Sequence, residues 1–87
     1  MKVNGFNIVN SSNKVTGNYY FSDEFEIDEA ALNEAGYEFR YVDGIKGLKM
    51  IEFLENNDKV YDMMSIIRFL YITKDLNSGK DIRFNNQ

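Results

Sequence analysis

Residues Leu48–Glu55 read LKMIEFLE, and whether this stretch coils or extends decides how many strands the chain can assemble. Leu48, Ile51 and Glu55, with Leu54 beside it, recur at intervals of three and four, the spacing of a helix face. The Asp43-Gly44 pair just before it is a strong hairpin signal and would admit a strand there. Helical spacing fits the eight residues better than alternation does, so a helix is expected.

Upstream, Tyr37–Val42 sets Tyr37, Phe39 and Tyr41 on one side and reads as a strand. Glu29–Ala35 (EAALNEA) reads as a short helix. Asp28 can accept hydrogen bonds from its first turn, and Gly36 can take the left-handed conformation just past its end. Gly17 opens a longer strand in which Tyr19, Phe21, Phe25 and Ile27 share one parity, and Ser22, Glu24, Glu26 and Asp28 the other. Asp23 falls on the apolar parity, which marks a turn or bulge at Ser22–Glu24. Gly5–Val9 is a further strand, joined to the long one through Asn10-Ser-Ser-Asn13.

Downstream, Asn56-Asn57 ends the expected helix and Asp58 can cap another over Asp58–Lys74. Val60, Met63, Met64, Ile67, Leu70 and Tyr71 make a wide apolar stripe there, widened by Ile66, Phe69 and Ile72. A helix so apolar is central in its domain or covered by another chain. Asn77-Ser78-Gly79 reads as a turn and Asp81–Phe84 as a short edge strand. The expected architecture is one α+β domain spanning 1–87, in the order β-β-α-β-α-α with a possible C-terminal edge strand: a small antiparallel sheet with two helices packed on one face.

A chain of 87 residues buries only about 60–65% of its unfolded surface. It has no Cys or His, so neither disulfides nor a zinc site of the usual ligands can staple it. Seven Phe and six Tyr must carry the core, since rings bury much area at little entropic cost. Usage is rich in Asn, Lys and Ile and poor in Ala and Arg, with no Pro, which suits an A/T-rich genome. No long apolar run suggests a signal or a membrane span, so a cytoplasmic protein is expected.

The same absences remove most catalysis. Without His or Cys there is no imidazole base, thiol nucleophile or serine triad. Leu76–Lys80 (LNSGK) falls short of a phosphate loop, because Lys74 and Asp81 stand where that loop needs Gly and Ser or Thr. The run Asp23–Glu29 (DEFEIDE) does not fit a calcium loop, with Phe25 and Asp28 at its third and sixth positions. A non-enzyme with no cofactor and no metal is the expectation.

Charge is unevenly spread. Residues 1–44 hold three basic and eight acidic side chains, and residues 45–87 seven and six. With a net charge of −4 the chain lacks a basic stripe for a phosphate backbone, so direct nucleic-acid binding and membrane binding are not expected. Carboxylates two apart on a strand lie roughly 7 Å from one another, near the spacing of phosphates along DNA. Asp23, Glu24, Glu26, Asp28 and Glu29, extended by Glu34 and Glu38, are therefore the candidate contacts for a basic protein partner, with Tyr20 as an aromatic anchor. In character, though in no motif, the chain resembles phage-encoded inhibitors of host defence of the anti-CRISPR or anti-restriction kind, which implies a nucleic-acid mimic that occupies a partner. The alternative is a homo-oligomeric structural domain, dimerising through Met63, Ile66 and Phe69, whose acids only keep it soluble.

Overall fold

A computed structural model of the chain describes residues 1–78. Strands β1 (Lys2–Val9), β2 (Val15–Glu26), β3 (Phe39–Asp43) and β4 (Lys49–Leu54) form one sheet, with helix α1 (Glu29–Ala35) after β2 and helix α2 (Met63–Ser78) after β4. The class is α+β, with a four-stranded sheet and two helices. Spatial order is β2-β1-β4-β3, with β1 and β4 paired in parallel and the two outer pairs antiparallel. The sheet is therefore mixed rather than wholly antiparallel.

Leu48–Glu55 is the chief correction: its core is strand β4, and no helix forms there. The physical reason is its position. Flanked by β1 and β3, the strand turns Ile51 and Phe53 to the core while neighbouring side chains shield Met50 and Glu52 on the other face, so all four are buried in succession. A two-sided strand shows no alternation, and its apolar spacing then mimics a helix. Asp43-Gly44 does introduce a β3–β4 hairpin, through a short helical turn at Ile45–Gly47.

The second correction concerns α2. Asp58 does not cap it; Asn56 and Lys59 close a reverse turn by paired backbone hydrogen bonds, and the helix starts at Met63 rather than at Asp58. Asp62 is the cap, accepting from the Ser65 amide at 3.1 Å and from the Ser65 hydroxyl at 3.2 Å. The helix runs past Lys74 and includes Asn77 and Ser78. Asp81–Phe84 and Gly79 lie outside the described residues.

Helix α1 forms as its sequence dictates. Asp28 accepts from the Ala31 amide at 3.0 Å, and Gly36 sits at φ 87° with its N–H on the Asn33 carbonyl. Lys59 then donates to the Gly36 carbonyl at 2.5 Å, setting a cation at the negative end of the helix.

Both helices feed one core. Phe6, Phe25 and Phe53 are fully buried with Val3, Leu32, Ile51, Ile66 and Leu70. The rings form two groups that meet at Phe6 and Phe53, 5.5 Å apart and edge to face. Tyr19 and Phe21 gather at Phe6, with Phe25 stacked on Phe21 at 4.4 Å, and Tyr37 and Tyr61 gather at Phe53. Lys74 lies 5.0 Å above the Phe25 ring, so the aromatic cluster also holds the last turns of α2.

Candidate acidic interface on strand β2

The acidic run sits on an edge strand. Opposite β1, residues Gly17–Tyr20 pair regularly with Ile8–Gly5, and Phe25 and Glu26 pair with Val3 and Lys2. Between these two stretches Asn4 alone faces Phe21–Glu24, a wide bulge that holds the acids out from the sheet. The bulge falls where Asp23 breaks the alternation. Phe21 and Phe25 are both buried, while Asp23, Glu24 and Glu26 are all exposed. Glu24 and Glu26 therefore flank a ring rooted in the core, and that ring fixes their backbone.

The remaining candidates divide by what they touch. Glu26 receives the Met1 ammonium at 2.6 Å, an ion pair exposed on both sides and worth little by itself. Asp28 serves as the α1 cap. Glu29 accepts the Tyr41 hydroxyl at 2.6 Å and so ties α1 to β3. Glu34 lines a shallow apolar groove of about 350 Å³ between the helices, with Ala31, Ala35, Phe69, Ile72 and Thr73. Glu38 is exposed, and its amide donates to the Tyr61 hydroxyl at 3.2 Å. Asp23 and Glu24 have no side-chain partner among the described residues. Tyr20 is 56% exposed and lies opposite Gly5, four residues before Glu24. The structure thus leaves Asp23, Glu24 and Glu26 exposed along the end of β2, with exposed Tyr20 earlier on the same strand, and assigns Asp28 and Glu29 to holding α1.

One residue of the expected dimer contact, Ile66, is not on the surface. Ile66 is only 1% exposed and sits in the chain's own core, and Met63 and Phe69 pack against that core half-buried. The outward side of α2 carries Met64, Ser65, Arg68 and Ile72, a mixed surface.

A polar chain that the sequence did not reveal crosses the sheet on the face away from the core cluster. Asn18 on β2 donates to Asn7 on β1 at 2.7 Å, and Asn7 to Glu52 on β4 at 3.4 Å. Arg40 on β3 donates to Glu52 at 2.8 Å and to Asn13 in the β1–β2 turn at 3.0 Å. Glu52 is 9% exposed, and this shared set of donors is what permits a carboxylate there. The only sequence signal was an acid inside an apolar run, which a helix reading places on a wet face.

Tyrosine ionisation offers a check on these contacts. Burial, and then the Glu29 carboxylate, push the Tyr41 hydroxyl above its ordinary range, and burial raises Tyr37 and Tyr71 as well. Raised values mean that the folded chain holds these protons more tightly than the unfolded one. Their contribution to stability is complete below the ordinary value of 10.0 and is lost as pH climbs through the folded values. Urea midpoints are expected to fall as pH rises beyond 10, and less so in Tyr41→Phe; an unchanged slope in that variant contradicts the Tyr41–Glu29 contact.

Among the described residues no three His, Cys, Asp or Glu side chains stand together to hold a metal ion, and no helix is long and apolar enough to cross a membrane. Comparison with known protein families, with curated proteins and with solved structures gives no match for this chain.

Proposed function

We propose that this is a non-enzymatic cytoplasmic binding protein that occupies a basic, nucleic-acid-handling protein partner through Asp23, Glu24 and Glu26. The observation that carries the reading is the exposure of three carboxylates together on one edge strand, two of them without a side-chain partner among the described residues. Unpaired surface carboxylates contribute little to a fold, while clustered ones steer a cationic partner and raise its rate of encounter. Tyr20 supplies the aromatic contact beside them, and Glu34 and Glu38 extend the negative field rather than the contact itself. Inhibition follows directly: a partner whose basic groove is filled by this strand is closed to nucleic acid, the action of host-defence inhibitors carried by phage.

The test is a double charge reversal, Asp23→Lys with Glu24→Lys. Neither side chain holds anything inside the fold, so the unfolding free energy is expected to stay within about 0.5 kcal/mol of the parent. Protein captured from the native host on the immobilised parent chain should be displaced by duplex DNA and should not bind the variant. Undiminished capture by a folded variant overturns the reading.

A further inference from the structure

We propose that Asn4-Gly5 is a self-modification site, closed in the native sheet, which deamidates to an isoaspartyl linkage once β1 comes free and then bars the chain from folding again. The inference goes beyond the partner reading and does not rest on it. Asn4 is the one asparagine of the chain that glycine follows. Glycine leaves the backbone nitrogen least hindered, because no Cβ crowds its approach. The Gly5 nitrogen adds to the carbonyl carbon of the Asn4 side chain, and its proton departs with the side-chain amide as ammonia, leaving a cyclic imide. Water then opens that ring at either carbonyl. One opening gives an ordinary aspartyl linkage. The other routes the main chain through the former side chain, one carbon longer, and leaves the old backbone carbonyl as a free carboxylate.

The fold holds both reacting groups. The Lys49 amide donates to the Asn4 side-chain oxygen at 2.9 Å, which ties that carbonyl to the start of β4. Gly5 is buried and paired on both sides, opposite Tyr20 on β2 and Met50 on β4. Its nitrogen cannot turn onto the Asn4 side chain while two strands clamp it, and burial keeps away the water that would take its proton. Because β1 lies between β2 and β4, Asn4 is released only when the sheet parts, and the rate follows the fraction of open chains. Return is blocked by the same packing. On the β2 side the bulge opposite Asn4 offers slack, but on the β4 side the ladder runs unbroken from Gly5 to Val9 and offers none. Gly5 is also set so close to the Tyr19 carbonyl that not even a Cβ fits there. A longer backbone at Asn4 displaces Gly5 from that place and takes the side-chain acceptor from the Lys49 amide.

The test incubates the whole chain at neutral pH, folded in buffer and unfolded in guanidinium chloride, and follows its peptides by mass. Exchange of amide for acid on the peptide holding Asn4 should run at least about tenfold faster in denaturant. Asn4→Gln, which would have to close a larger ring, should show no such exchange at that position. After denaturant is removed, the purified isoaspartyl chain should stay unfolded by near-ultraviolet circular dichroism. Asn4→Asp brings the new charge without the longer backbone and keeps an acceptor for Lys49, so it should fold like the parent. Equal rates in buffer and denaturant overturn the proposal, as does an isoaspartyl chain that refolds like the parent. So does denaturant-dependent exchange at Asn10, which precedes Ser11, with Asn4 intact. Failure of Asn4→Asp to fold would move the block from backbone to charge and overturn it too.

Discussion

Replacing Phe53 with Ala is expected to lower the unfolding free energy by about 3–5 kcal/mol. Phe53 is fully buried at the centre of β4 and touches rings from three other parts of the chain: Phe6 on β1, Tyr37 after α1, and Tyr61 before α2. Removing it opens a cavity that these rings cannot close, because each is held by its own contacts. Tyr37 also packs on Phe69 at 5.3 Å, and Tyr61 holds the Glu38 amide. A domain has only about 5–15 kcal/mol in hand, so this one truncation should bring a small chain near its threshold. Urea denaturation followed by tyrosine fluorescence measures it; a loss below about 1 kcal/mol would show that Phe53 is not the junction of the two ring clusters.

Gly5→Ala is expected to do comparable damage for the opposite reason. Gly5 stands opposite Tyr20, and a Cβ there would lie 2.3 Å from the Tyr19 carbonyl oxygen and 3.1 Å from the Tyr20 Cα. Both obstacles are backbone, so no side-chain rotation relieves them. The added methyl must push β1 and β2 apart beside the bulge. Overpacking commonly costs about 1–3 kcal/mol, and a backbone clash belongs at or above the top of that range. The expected result is a loss of about 3 kcal/mol or more, with amide signals of Gly17–Tyr20 displaced or broadened. Parent-like stability and spectra would mean that the two strands are not this close.

Much of this architecture was legible where one face is wet. The alternation through Tyr19, Phe21 and Phe25 located β2 and its exposed acids, and the misfit at Asp23 located the bulge. Asp28 and Gly36 bounded α1 because helix ends have strong local chemistry. Strand β4 was hidden for the converse reason: Met50 to Phe53 is buried on both sides, and nothing in such a run distinguishes a strand from a helix face. The start of α2 was misplaced because Asp58 has the local chemistry of a cap, whereas Asn56 and Lys59 close a turn there and Asp62 caps the helix instead. Ile66 read as available for a dimer, since an apolar stripe does not say whether its own sheet is wide enough to cover it.

The acidic run was legible as exposed but not in its division of labour. Glu26 meets the Met1 ammonium 25 positions away, and Glu29 meets Tyr41 across the α1–β3 connection. Such contacts depend on which strands become neighbours, and local patterns carry no record of that. The same holds for Arg40, Glu52, Asn7 and Asn18, drawn into one chain of hydrogen bonds from four strands.

The central claim is that the exposed carboxylates at the end of β2 are the contact surface. Amide chemical-shift mapping of the labelled chain, titrated with the protein it captures from its host, tests it most directly. Perturbations centred on Tyr20–Ile27 that shrink as salt is raised are the result expected. Perturbations confined to the outward side of α2, around Met64, Arg68 and Ile72, with those β2 amides unmoved, would contradict it.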